Sequence, residues 1–176
     1  MRAVGVVVVA CIALVGSPSF SVVSLPAAVR GVMSDLWSVN NRHWDEVADQ
    51  NTLTQLLGTG KPTQHEYLGC LVGAVVGDTL FVRELVTASN LRQMQFAVTG
   101  DCDSVAHVVG TFHTHPYHAD PTGHPVKERG LSSLDLRTFA ASRDLVAIVM
   151  WDRDSIDVAT KGADGSVRHP APLALP

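Results

Sequence analysis

Residues 67–86 read YLGCLVGAVVGDTLFVRELV, and this stretch decides most of what the sequence predicts about the fold. Each half is a mostly apolar run, which is typical of a buried β-strand. Gly77 and Asp78 between the two halves are turn residues that favour a tight connection. We therefore predict an antiparallel hairpin with strands at 67–76 and 79–86.

The segments on both sides of this hairpin add helices and further strands. Residues 34–57 and 132–142 have helical signals, whereas 106–113 and 145–151 are apolar runs that suit strands. Residues 116–130 are rich in Pro, Gly and His and predict a long loop. The order of helix, strands, helix and strands predicts an α+β fold, in the form of an α/β sandwich.

The composition is that of an ordinary globular protein. Of the 176 residues, 46% are hydrophobic and 17% are charged, and the net charge is −4. The sequence contains no run of Lys and Arg, so it lacks the basic surface that nucleic-acid binding requires. We expect no nucleic-acid partner.

The first 21 residues have the pattern of a secretory signal peptide. Arg2 provides a positive start, residues 3–15 are apolar or small, and Ser19 and Ser21 suit the positions before a cleavage site. The apolar run is shorter than the roughly 20 residues of a membrane span. We predict export, either to the periplasm or out of the cell. The alternatives are an uncleaved membrane anchor, which would be the protein's membrane contact, and a buried N-terminal strand.

The chain has three cysteines, and Cys11 would leave with the signal peptide. Cys70 and Cys102 could form a disulfide in an oxidising compartment. Cys70 lies in an apolar run and fits a buried core thiol equally well. The pairing therefore stays open.

Two histidines in the sequence His113-Thr114-His115 suggest a metal site. Residues at positions i and i+2 of a strand point to the same face, so the two imidazoles would converge. Pro116 cannot continue a central strand and places the pair at a strand end. Two surface histidines in a polar loop are the alternative.

The next candidate is Asp135 in Ser132-Ser133-Leu134-Asp135. A Ser-x-x-Asp pattern before an apolar run predicts a capped helix start, which alone would explain the acid. Asp135 could also bind a metal across the loop. Two histidines, one carboxylate and an open position are typical of a catalytic zinc site.

A catalytic zinc site also needs a general base. Glu66 opens an apolar strand, which is a costly place for an acid without a partner. Glu84, Glu128 and Asp120 are further acids in the chain, and spacing alone does not choose among the four.

Together these pieces resemble the JAMM/MPN family of zinc metallopeptidases, also called JAB or Mov34. The family pattern is a glutamate opening a Gly-punctuated apolar strand, a strand ending in His-x-His-Pro, and Ser-x-x-Asp at a helix start. Here Glu66 precedes LGCLVG at 68–73, residues 108–116 read VVGTFHTHP, and residues 132–135 read SSLD.

The resemblance implies a fold and a set of roles. The fold is the MPN or cytidine-deaminase-like one, a central mixed β-sheet flanked by helices. His113, His115 and Asp135 would hold Zn²⁺, Glu66 would activate a zinc-bound water, and Ser132 would stabilise the oxyanion. The implied activity is metallopeptidase or isopeptidase hydrolysis of a protein or peptide whose identity stays open.

On this basis the chain divides into four segments. Residues 1–21 are the signal peptide or anchor, 22–40 a connector, 41–160 the JAMM/MPN-like metallopeptidase domain, and 161–176 a flexible tail. The sequence does not indicate an oligomeric state.

One feature departs from the family pattern. The gap between His-x-His-Pro and Ser-x-x-Asp is longer than usual and includes His118 and His124. Ser133 therefore competes with Ser132 as the functional serine, and the loop is a candidate substrate or lid element.

Two other functions remain open. One is a non-catalytic MPN-like scaffold that binds partners, and the other is an envelope metal-binding protein that uses His118 and His124.

Overall fold

The computed structural model describes residues 19–40, 64–94, 96–119, 125–170 and 173–174. Most of the predicted signal peptide and residues 41–57 of the predicted helix at 34–57 lie outside these ranges. Among the described residues, no helix combines the length and apolar character that a membrane-spanning helix requires.

Strands dominate the described chain. In chain order the elements are β1 (Val22–Ser24), α1 (Ala27–Asn40), β2 (Leu68–Val76), β3 (Thr79–Thr87), β4 (Ser89–Gln93), β5 (Val98–Asp101), β6 (Val108–Thr114), β7 (His118–Ala119), β8 (Pro125–Val126), α2 (Ser133–Ala141), β9 (Val146–Asp152), β10 (Ser155–Lys161), β11 (Val167–Arg168) and β12 (Leu173–Ala174).

The main sheet has eight strands in the order β1-β3-β2-β6-β9-β10-β11, and β12 also pairs with β10. The β1–β3 and β6–β9 pairs are parallel and the other pairs are antiparallel. Two small ribbons, β4–β5 and β7–β8, stand apart from this sheet.

The predicted hairpin is confirmed. β2 and β3 pair antiparallel up to Val76 opposite Thr79. Gly77 has a φ of 60°, a left-handed conformation that glycine adopts without steric cost and that tight hairpin turns need. The turn chemistry and the two apolar runs therefore set this part of the fold locally.

The fold class predicted from the sequence, an α/β sandwich with helices flanking the sheet, is wrong. Over the residues that the structure describes, the protein is mostly β, with 45% strand against 19% helix, and its mixed sheet curls into a half-barrel. The MPN or cytidine-deaminase-like arrangement is thus not the one observed. Seven of the described strands have five residues or fewer. Strands this short depend on pairing with another strand, which for β1 lies more than 50 residues away, and they leave little trace in the local sequence.

The core lies mainly between the sheet and α1. Val29, Met33 and Trp37 are the buried residues of α1, and they join the large apolar cluster that includes Phe112 and Ile148. A smaller cluster contains α2 and alternate residues of β9. Because β9 contributes to both clusters, it is buried on both faces, as its continuous apolar run predicts.

Both ends of the described chain belong to the folded domain. In the predicted connector 22–40, β1 pairs with β3 and α1 packs against the sheet. Phe20, which precedes the predicted cleavage point, is buried in the main cluster. In the predicted tail, β11 and β12 both pair with β10.

Cys70 and Cys102 form a disulfide. Cys70 lies in β2 and Cys102 directly follows β5, so the bond ties the β4–β5 ribbon to the central sheet. Of the two possibilities that the sequence left open for Cys70, the structure therefore has the paired one.

Candidate metal centre

Three side chains that could hold a metal ion converge at one end of the sheet. One ligand atom from each of His113, His115 and Asp135 lies within 4.8 Å of the other two. The Nε2 atoms of the two histidines are 3.2 Å apart. Oδ1 of Asp135 is 3.5 Å from Nε2 of His113, and its Oδ2 is 3.4 Å from Nε2 of His115. The structure thus brings together the three residues that the sequence singled out as ligands.

The end of β6 presents both histidines on one side. Thr114 between them is fully buried, and its hydroxyl accepts a hydrogen bond from the N–H of Tyr67 at 3.0 Å. The N–H of His115 donates to the carbonyl of Met150 on β9 at 2.9 Å. The end of β6 is therefore hydrogen-bonded on both sides, which fixes the backbone that carries the two histidines.

The start of α2 supplies the carboxylate. The Ser132 hydroxyl accepts from the N–H of Asp135 at 3.2 Å, and Oδ2 of Asp135 accepts from the N–H of Ser132 at 2.7 Å. This reciprocal pair is a capping box. It leaves Oδ1 of Asp135 facing His113, so helix capping and metal binding do not compete for the same oxygen.

Hydrogen bonds within the triad of His113, His115 and Asp135 shift the pKa values of Asp135 and His115. Burial alone would raise the pKa of Asp135, but hydrogen bonds from His113 and His115 hold it well below its usual range. Burial opposes protonation of His115, yet its hydrogen bond with Asp135 raises the pKa above the ordinary value. Asp135 is therefore a carboxylate at neutral pH, as a metal ligand must be.

The second nitrogen of His115 is also engaged. Nδ1 lies 3.4 Å from the carbonyl oxygen of Glu128. A carbonyl can only accept, so Nδ1 must donate in this contact, which leaves Nε2 as the nitrogen that can bind a metal. The contact also links the predicted long loop to the centre.

Glu66 lies beside the triad. The residue is only 8% exposed and lines the same cavity as the three candidate ligands. Burial is the main reason that its pKa rises from 4.5 to about 7, and the charges of Asp135 and Glu128 add to this rise while His115 opposes it. A carboxyl group with a pKa near 7 is suited to accept and return a proton at neutral pH.

The structure distinguishes the two serines. Ser132 lines the cavity, whereas Ser133 is exposed and is not part of the cavity wall. The Ser132 hydroxyl accepts the N–H of Asp135, so its own proton remains available for another acceptor. Ser132 is therefore the better candidate for an oxyanion donor.

In a hydrolase that used Ser132 as an oxyanion donor, replacing Ser132 with alanine would lower kcat about a hundredfold or more, the usual cost of losing one such donor. Loss of the helix cap should also destabilise the fold by about 1 kcal/mol. Ser133→Ala is the matched control and should retain wild-type turnover. Steady-state kinetics on both variants, with zinc content measured in parallel, test the assignment. A larger loss in Ser133→Ala would reverse it.

The candidate ligands and Glu66 line a cavity of about 550 Å³. Its wall includes Phe96, residues 98–100 of β5 and Asp144, none of which the sequence had indicated as site residues. Asp144 was detectable in principle, because it precedes the apolar run of β9 much as Glu66 precedes that of β2. Burial raises its pKa, and Oδ2 accepts a hydrogen bond from Thr111 at 3.3 Å.

The long loop holds further candidates named from the sequence. His124, Asp120 and the side chain of His118 lie outside the described residues. Around this gap, β7 and β8 form a short antiparallel ribbon within the segment predicted as loop. Glu84, another acid considered as a base, is exposed on β3 and does not line the cavity.

Comparison with known proteins adds no assignment. No protein-family model matches the sequence, and no curated protein is significantly similar to it. The case for a function therefore rests on the chemistry of the site itself.

Proposed function

We propose that the protein is a zinc-dependent metallopeptidase that hydrolyses a peptide or isopeptide bond. The observation that carries the proposal is the combination of two histidines and one carboxylate with a buried glutamate in the same cavity. A structural zinc site normally has four protein ligands, whereas three ligands leave a position open for chemistry. The likeness to JAMM/MPN enzymes that supports this proposal is confined to the site residues and does not extend to the fold.

The donor set suits zinc. Imidazole nitrogen and carboxylate oxygen are both common zinc ligands, and His113, His115 and Asp135 would hold the ion. When bound, zinc supplies a Lewis acid and a source of hydroxide at neutral pH. The engaged Nδ1 of His115 and the capping bond to Asp135 would keep two of the ligands in orientation.

The protein's own residues would then handle the protons and the developing charge. Glu66 would take a proton from the attacking water and return it to the departing amine nitrogen. The Ser132 hydroxyl would donate a hydrogen bond to the oxyanion that forms on the former carbonyl oxygen. No covalent enzyme intermediate is needed, because water is the nucleophile.

We also propose that the protein is exported. The positive start at Arg2 and the apolar run at 3–15 support this, and the disulfide between Cys70 and Cys102 gives independent support. Disulfides persist in oxidising compartments and are rare in the reducing cytosol. The proposed substrate is accordingly a protein or peptide outside the cytosol.

Removing the metal tests the proposed function. Purified protein should contain close to one zinc ion per chain, and a chelator should abolish cleavage of a quenched-fluorescent peptide library. Restoring stoichiometric zinc should restore cleavage, because the three ligands bind the ion reversibly. Metal analysis and fluorescence report the two readouts on one sample. Cleavage that persists in zinc-free protein would refute the proposal, as would a zinc-loaded protein that cleaves neither peptides nor isopeptide conjugates.

A further inference from the structure

A second carboxylate–histidine pair, Asp157 and His169, contacts the residue that precedes Ser132 and has no role in the steps described above. Asp157 on β10 is fully buried, with 0% of its surface exposed. A buried carboxylate is costly unless hydrogen bonds compensate for the lost water. Oδ2 of Asp157 accepts from Nε2 of His169 at 2.6 Å and from the N–H of Leu131 at 2.8 Å. Oδ1 accepts from the N–H of Val158 at 2.9 Å.

Leu131 connects this pair to the candidate site. It immediately precedes Ser132, the cap residue of α2, and its side chain is buried in the cluster that includes Phe139 and Val149. Asp157 therefore holds the backbone at Leu131–Ser132, the corner that leads into α2, while the apolar cluster holds the side chain of Leu131. The next residues along the chain supply the candidate oxyanion donor and, three positions later, the candidate ligand Asp135.

His169 brings the C-terminal segment into the same arrangement. It directly follows β11, whose Arg168 pairs with Thr160 of β10. Its side chain remains 29% exposed, so it is less embedded than Asp157. Neither Asp157 nor His169 lines the cavity, so neither is positioned to touch a substrate there.

We infer that Asp157 and His169 are positioning residues that hold the Leu131–Ser132 corner, and through it Ser132 and Asp135, in the geometry needed for hydrolysis. The inference rests on the proposed function. Without the His169 donor, the buried Asp157 carboxylate loses one of its three hydrogen bonds. The side chain must then change position or bind a water molecule. Either response loosens the bond to Leu131.

A matched set of variants tests this inference. His169→Leu removes the donor, whereas His169→Gln keeps an N–H donor at similar reach from the backbone. Arg168→Leu, at the neighbouring exposed position, is the control for general effects on the C-terminal strand. Each zinc-loaded variant is assayed for kcat, KM and zinc content, and for hydrogen exchange at the Leu131 amide.

His169→Leu should lower kcat by about 10-fold to 100-fold, the range seen when residues that support metal ligands are lost. KM should change less than kcat, because His169 is not part of the cavity wall and no lining residue is replaced, and the Leu131 amide should exchange faster. His169→Gln should recover most of the lost kcat, and Arg168→Leu should match the wild type.

Unchanged kcat and unchanged Leu131 exchange in His169→Leu would overturn the inference, and so would a loss of kcat that His169→Gln does not rescue. Failure of the proposed function is distinguishable, because it would appear in the wild type as absent zinc or absent hydrolysis. The exchange measurement needs no activity and reports on the corner in either case.

Discussion

Replacing Glu66 with glutamine is expected to lower kcat by about a hundredfold to ten-thousandfold, the usual contribution of a general base. Glutamine has nearly the same shape but cannot accept the proton of an attacking water. The zinc content should stay at the wild-type level, because Glu66 is not one of the three converging ligands. Peptide hydrolysis and metal analysis on the same preparation measure both quantities.

Two further variants make this result specific. His113→Ala removes a candidate ligand and should lose both zinc and hydrolysis. Glu84→Gln makes the same chemical change at an exposed position on β3 and should leave both at the wild-type level. If Glu66→Gln remains fully active, Glu66 is not the base, and the mechanism assigned to this cavity must be abandoned.

Removing the disulfide is expected to produce the largest change in stability. The bond joins Cys70 and Cys102, which are 32 residues apart in sequence. Closing a loop of that length restricts the unfolded chain and stabilises the fold by about 3–4 kcal/mol. The double variant Cys70→Ala with Cys102→Ala should therefore unfold at a clearly lower denaturant concentration than the oxidised wild type.

Reduction provides the matched comparison. Wild-type protein in reductant should unfold near the midpoint of the double variant, whereas the double variant should not respond to reductant. Equal midpoints for the oxidised wild type and the double variant would contradict the expected contribution of the bond. Activity should fall as well, because the bond ties β5, part of the cavity wall, to the central sheet.

Features that depend on near neighbours in the chain could be predicted from the sequence. The hairpin at 67–86 follows from two apolar runs and a Gly-Asp turn. The convergence of His113 and His115 follows from the two-residue period of a strand. The capping box of Ser132 and Asp135 connects residues three apart. In each case the interacting groups are separated by a few residues, so local geometry alone brings them together.

The prediction for Glu66 had a different basis. Its position at the head of an apolar strand marked it as unusual, but spacing did not distinguish it from other acids, and the resemblance to JAMM/MPN enzymes selected it. Its burial in the cavity beside the triad became visible only in three dimensions. Asp144 has a similar position before a strand, and its place in the cavity wall also became visible only in three dimensions.

By itself, the sequence determined the central hairpin, the paired histidines and the capped start of α2. The tertiary structure alone decided that the protein is mostly β, that Cys70 pairs with Cys102, and that Asp157 meets His169 and Leu131. These features join segments that are separated in the chain, or consist of strands too short to leave a clear pattern in the local sequence. Their stability comes from contacts that exist only after the sheet has assembled, so no local pattern encodes them.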